Sequence, residues 1–159
     1  MKKKTFEIKK APEFELPDSA GNIIRLEDFK GRYVVLYFYP KDNTPGCTLE
    51  AIGFRDLKDE FEKLGAVVIG VSKDSSKSHE KFIQKHELNF ILLSDEDGEL
   101  LKLYDVLKPK KMFGKEYLGI ERSTFVIDKN GDIVKEYRKV KAPGHAEAVL
   151  EYVGEISKG

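Results

Sequence analysis

Tyr33-Val34-Val35-Leu36-Tyr37-Phe38-Tyr39-Pro40-Lys41-Asp42-Asn43-Thr44-Pro45-Gly46-Cys47-Thr48-Leu49-Glu50 reads as a buried strand that passes through a short polar turn into a helix. The run from Tyr33 to Tyr39 shows no polar alternation, the pattern expected of a central strand covered on both faces. Thr44 suits an N-cap and Pro45 the first helical position, so a helix is expected from about Pro45 to Leu64. Cys47, Glu50, Phe54, Leu57, Phe61 and Leu64 recur three and four apart and share one face of it. The apolar members must face the sheet. Cys47 and Glu50 extend that stripe toward the helix start, which aims a thiol and a carboxylate at the mouth of the core.

Working outward, Ala11 to Lys30 carries short extended pieces around a turn at Asp18-Ser19-Ala20-Gly21-Asn22. Ala66 to Val71 is a second buried strand, and Ser75 or Ser76 caps a helix running to about His86. Phe90 to Leu93 reads as a short strand and Gly98 to Tyr104 as a short helix. Leu118 to Ile127 and Ile133 to Val140 are expected to be antiparallel strands joined at Asp128-Lys129-Asn130-Gly131, where Asn-Gly is the hairpin signal. A last helix spans about Gly144 to Ser157. This order predicts an α/β fold: a three-layer sandwich with a central mixed sheet flanked by helices and an N-terminal extended extension. The thioredoxin-like plan has this order.

The bulk numbers narrow the function. A chain of 159 residues fits one domain, taken as residues 1–159, with a core that needs no staples. Its 28 basic and 28 acidic residues cancel, so no global charge draws it to nucleic acid or to an anionic membrane. Lys2 to Lys4 form a basic start, but no apolar stretch follows to make a signal peptide. One cysteine and no export signal point to a reducing cytoplasm. The scattered histidines make no metal site. His79 reads as solvated, His86 as a partner for helix-end carbonyls and His145 as structural. Lys108-Pro109-Lys110-Lys111 reads as a solvated basic loop, with Met112 and Phe113 either rimming a pocket or anchoring that loop.

Cys47 carries the chemistry. It has no partner for an internal disulfide, and the first position of a C-x-x-C pair is occupied by Thr44. Free N–H groups and the dipole at a helix start favour a thiolate by up to about 1 kcal/mol at an exposed site. That is a modest bias, and a second cation is wanted. Arg122, one of five arginines, is the candidate: alternation along its strand puts it on the face of Ile120, Thr124 and Val126. A guanidinium on an apolar face requires an anion, and its fork of donors suits Cys47 and Glu50 together. Each residue also has a plainer reading. Cys47 can be a small buried hydrophobe, Thr44 a helix cap, Arg122 an exposed partner of Glu121, and Glu50 a solvated first-turn acid.

Pro40-x-x-x-Thr44-x-x-Cys47, with Glu50 and a distant Arg122 in Arg-Ser-Thr-Phe, resembles the peroxiredoxins. The fuller run Tyr-Pro-Lys-Asp-Asn-Thr-Pro-Gly-Cys-Thr is similar to their bacterioferritin-comigratory, or Q-type, subfamily. Asp18 to Gly31, Gly114 to Asp128 and Gly144-His145-Ala146 extend the likeness over nearly the whole chain. The resemblance implies a thiol-dependent peroxidase in which Cys47 attacks hydrogen peroxide or an organic hydroperoxide and becomes a sulfenic acid, releasing water or an alcohol. It implies that Thr44 hydrogen-bonds thiolate and peroxide, and that Arg122 and the N–H groups of Gly46 and Cys47 stabilise developing charge. Pro40 would shield the pocket and Glu50 orient Arg122. No metal or organic cofactor is implied, and a monomer is the expected state, with a dimer as the alternative. Many Q-type members carry a second cysteine where Ile52 stands here, and others carry it on the following helix. This chain has neither, so an external thiol (thioredoxin, glutaredoxin or a small thiol) or the Cys47 of another molecule must clear the sulfenic acid. The competing reading is a non-enzymatic redox-sensing thiol protein or partner-binding module, which would oxidise once without turnover. Intact-mass measurement after one equivalent of hydrogen peroxide is expected to show sulfenic acid or a mixed species at Cys47; a thiol left free would contradict the enzyme reading.

Overall fold

The computed structural model describes residues 9–158, so the basic start at Lys2 to Lys4 lies outside the described residues. Tyr33–Phe38 forms the strand expected from its composition, and every residue in it is buried. In chain order the strands are β1 (Lys9–Lys10), β2 (Glu15–Pro17), β3 (Ile23–Arg25), β4 (Tyr33–Phe38), β5 (Ala66–Ser72), β6 (Ile91–Ser94), β7 (Leu107–Met112), β8 (Lys115–Ile120), β9 (Ser123–Ile127) and β10 (Asp132–Tyr137). The helices are α1 (Pro45–Asp56), α2 (Lys58–Lys63), α3 (Ser76–His86), α4 (Glu99–Leu103) and α5 (His145–Ser157). Six strands make one mixed sheet in the order β1-β10-β9-β4-β5-β6. β4, β5 and β6 run parallel, and β9 lies antiparallel on the other side of β4.

Period-two alternation divides β4 between two cores. Val34, Leu36 and Phe38 face a cluster that takes in Phe14, Leu26, Leu101, Tyr104 and Phe125. Tyr33, Val35, Tyr37 and Tyr39 face a second cluster with Cys47, Phe54, Phe61, Phe82 and Val149 from α1, α2, α3 and α5. The expected three layers, with a central mixed sheet between them, are therefore present, and the short N-terminal pair β2–β3 folds about the turn at Asp18 to Asn22.

Three expectations need correction. The helix drawn from Pro45 to Leu64 is broken at Leu57 into α1 and α2. The strand drawn from Leu118 to Ile127 is interrupted at residues 121–122. Its first part, β8, leaves the main sheet and pairs with β7 instead. The basic segment Lys108 to Lys111 is thus strand rather than loop. Phe113 and Gly114, both with positive φ, close that hairpin, a two-residue geometry whose twist suits paired strands. Its pattern is illegible in the sequence because Pro109 interrupts it and most of β7 and β8 is exposed, so no apolar alternation is required.

The β9–β10 turn at Asp128 to Gly131 is as expected, with Asp128 Oδ1 accepting from the N–H groups of Asn130 and Asp132 at 2.9 and 3.0 Å. Gly70, in β5, marks the tightest packing beside β4. A Cβ there would stand 2.8 Å from Leu92 and 2.9 Å from the Tyr37 ring. Gly70→Ala is expected to cost about 1–3 kcal/mol by overpacking, read as a lower midpoint in urea with an unchanged slope.

Candidate active site

The end of β4 and the start of α1 place the site. Thr44 is extended (φ −89°, ψ 153°) and Pro45 opens the helix. The first intrahelical bond runs from Thr48 N–H to Thr44 O at 2.8 Å. The amides of Gly46 and Cys47 precede that bond and have no intrahelical partner, as in any first turn. Thr44 makes no side-chain cap bond to them; its hydroxyl donates instead to the Lys41 carbonyl at 2.7 Å. Pro40 is exposed where the chain leaves β4.

Cys47 is 1 % exposed and Glu50, one turn on, is also 1 % exposed. Arg122 reaches both: its Nη2 donates to Cys47 Sγ at 3.3 Å and its Nη1 to Glu50 Oε1 at 2.6 Å. The same guanidinium presses on the backbone of Gly46, where a Cβ would lie 3.0 Å from Nη2. That close approach is a steric reason for glycine beside the cysteine. Cys47, Glu50, Gly46 and Arg122 are therefore brought together. Glu50 is not a solvated first-turn acid, and Arg122 does not pair with Glu121. Glu121 instead lies 3.9 Å from Arg138.

The route by which Arg122 arrives differs from simple alternation. Thr124 and Val126 do face α1, as Tyr37 and Val35 opposite them do. Ile120, beyond the interruption at residues 121–122, belongs to the opposite core. The linking segment is pinned by Glu121 N–H to Val106 O at 2.7 Å and by Val140 N–H to Arg122 O at 3.0 Å. Lys110 of β7 crosses Gly119 and donates to the Ile120 carbonyl at 2.8 Å, which holds the approach to Arg122. Met112 and Phe113 lie at the hairpin tip, with Phe113 97 % exposed.

Burial and charge act in opposite senses here. Burial pushes the Glu50 carboxyl up to about 7, outweighing the downward pull of Arg122. Burial opposes the charge on Arg122, yet Glu50 and Cys47 together hold it above the ordinary guanidinium value. Tyr37, beneath the site and stacked on Phe54 at 4.8 Å, is raised well above a free phenol by burial and then by Glu50 and Cys47.

A second polar cluster, not expected from the sequence, joins Asp42, Asp74 and His79. His79 is buried rather than solvated, 2.7 Å from Asp42 through Nδ1 and 2.9 Å from the Leu93 carbonyl through Nε2. Asp42 also accepts from the hydroxyls of Tyr39 at 2.6 Å and Ser78 at 2.8 Å. Its own N–H donates to Asp74, which accepts from Ser72 as well. Asp42, Asp74 and His79 are close enough to hold a cation, but their facing atoms are already engaged with one another and with these donors. The cluster fixes the turn between Tyr39 and Thr44.

His145, expected to be structural, is buried at the start of α5. It caps the approach of α5 with Nε2 2.7 Å from Thr124 Oγ1 and its ring edge-on to Phe54 and Tyr137.

Residues 8–136 match the AhpC/TSA family. The chain is 54 % identical over 155 residues to Peroxiredoxin Bcp of Bacillus subtilis (strain 168), covering 97 % of this chain and 99 % of that one. Among solved structures, the Xanthomonas campestris bacterioferritin comigratory protein, studied for its alkyl peroxide reduction activity, superposes with a TM-score of 0.87. That match is at 46 % identity and covers 91 % of this chain and 92 % of that one. A cysteine-to-serine mutant of Xylella fastidiosa PrxQ gives a TM-score of 0.88 at 41 % identity, covering 96 % and 99 %.

Burial first, and the Arg122 charge second, lower His145 from 6.5 to about 4. The unfolded chain therefore takes up this proton before the folded one does. The stability carried by the neutral ring is complete above 6.5 and drains away as pH falls toward about 4. Urea midpoints measured across that window are expected to fall less steeply for His145→Gln than for the parent chain.

Proposed function

The chain belongs to the AhpC/TSA family as a peroxiredoxin of the Bcp type, a thiol-dependent peroxidase, and on that premise we propose that Cys47 is its peroxide-reducing nucleophile. The observation that carries this reading is the Arg122 guanidinium, which bridges Cys47 Sγ at 3.3 Å and Glu50 Oε1 at 2.6 Å in a buried site. A cation held there favours the thiolate and stabilises charge that moves onto the departing oxygen.

The thiolate attacks the terminal oxygen of hydrogen peroxide or an organic hydroperoxide. The O–O bond breaks, the sulfur becomes a sulfenic acid, and water or an alcohol leaves. The unpartnered amides of Gly46 and Cys47 at the start of α1 supply further donors for the peroxide oxygens. The Thr44 hydroxyl proton is engaged by the Lys41 carbonyl, so its oxygen acts as the acceptor that orients the peroxide O–H. Pro40, at the exit from β4, limits the approach of water from that side. Glu50 keeps the guanidinium in register with the sulfur.

With one cysteine in the sequence, the sulfenic acid is resolved by an external thiol, which thioredoxin, glutaredoxin or a small thiol would provide. The chain works as a single peroxiredoxin domain and as a monomer, without a metal or organic cofactor. Among the described residues, no helix is long and apolar enough to cross a membrane, and a cytoplasmic location fits the lone reduced thiol.

A peroxidase assay with each reductant tests the assignment. Cys47→Ser is expected to abolish turnover, and Arg122→Ala to lower the peroxide rate by about 10²–10³-fold. Sustained peroxide consumption by the serine variant would end the proposal; one stoichiometric oxidation of the parent chain without turnover would favour a sensor.

A further inference from the structure

One guanidinium faces two acids. Cys47 and Glu50 occupy different nitrogens of Arg122, and both are almost wholly buried. Two anions and one cation would leave a surplus negative charge in a site that excludes water, which is costly. Apart from Arg122, the free amides at the start of α1 favour an anion, and they serve Cys47 rather than Glu50. Tyr37 comes from β4 and is kept a neutral phenol by burial; His145 comes from α5 and is kept a neutral imidazole. One cation thus matches one anion, which leaves one proton on the pair. Glu50 has a place for it, because Oε1 is taken by Arg122 while Oε2 is buried and has no partner.

We propose that Glu50 is the acid of peroxide reduction: it carries the site's proton while Cys47 is a thiolate and gives it to the departing oxygen as the O–O bond breaks. The assignment rests on the peroxidase reading and adds a proton source to it. A sulfur electron pair forms the S–O bond to the terminal oxygen, which keeps its hydrogen. The O–O electron pair goes to the second oxygen, and the proton of Glu50 joins it directly or through one water. Sulfur is oxidised, the peroxide is reduced, and water or an alcohol leaves. The cluster is neutral before and after. Negative charge passes from Cys47 to Glu50, and Arg122 remains the counterion of both. Burial, which raises the Glu50 carboxyl to about 7, supports a proton being available near neutral pH.

The discriminating experiment compares two reactions of Cys47 in the parent chain and in Glu50→Gln: oxidation by hydrogen peroxide and alkylation by iodoacetamide. Both need the thiolate, but alkylation expels iodide and needs no acid. The variant is expected to alkylate at least as fast as the parent chain, and to react with peroxide at least roughly tenfold more slowly. In the parent chain the ratio of peroxide to alkylation rates falls as pH rises through about 7; in the variant the ratio is flat. Parallel loss of both rates would reduce Glu50 to a positioning residue for Arg122, and an unchanged peroxide rate would place the proton elsewhere; either overturns the proposal. A parent chain that alkylates normally yet ignores peroxide would fail the peroxidase reading itself, and this assignment with it. Difference infrared spectra of the parent chain give a reading that does not depend on the variant folding. A protonated-carboxyl C=O band is expected before peroxide and lost after one equivalent; a band that is absent throughout, or that persists, overturns the proposal.

Discussion

The Arg122 guanidinium is the constraint around which the rest of the site is arranged. It sits far from Cys47 in sequence, and the sheet order makes them neighbours. β9 runs antiparallel to β4 with Ser123 opposite Phe38, so the residue before β9 lies beside the end of β4, where α1 begins. A parallel β9 would have delivered its first residues to the other end of the sheet. The remaining requirements are local. Gly46 leaves room for the guanidinium, Glu50 lies one helical turn after Cys47, and the segment at residues 121–122 leaves regular strand geometry to turn its arginine inward.

Holding that arginine costs stability elsewhere. Burying two acids and a guanidinium forfeits hydration that their attraction has to offset, and Glu50 has an oxygen without a partner. The surrounding structure is correspondingly firm. Aromatic rings of Tyr37, Phe54 and Phe61 pack below the helix, and the Asp42–His79 cluster anchors the turn that leads into it. The site is thus a buried polar island supported by an apolar core on one side and by a hydrogen-bonded network on the other.

Much of this was legible in the sequence because the signals were steric and periodic. The unbroken apolar run of β4 announced a strand covered on both faces. Thr44-Pro45 marked the start of α1, Ser75 the start of α3, and Asn130-Gly131 the β9–β10 turn. The spacing of Cys47, Glu50 and Phe54 put thiol and carboxylate on the buried face. Arg122 was found by a rule that holds on only one side of it, since Thr124 and Val126 share its face and Ile120 does not. Strand alternation cannot register a break in the strand. The burial of His79 is hidden in the sequence because a helix rich in charged residues does not reveal that one of them meets Asp42 from a distant turn. The β7–β8 hairpin is hidden in the sequence because an exposed ribbon leaves no hydrophobic period to read.

The seclusion of Cys47 has one further consequence. Cys47 is 1 % exposed, so a bulky thiol-directed label reaches the sulfur only when the first turn of α1 loosens, however briefly. Since the chain holds no other cysteine, every such label reports on that one event. The protein thus comes with its own probe of local breathing, needing neither an engineered tag nor the removal of competing sites.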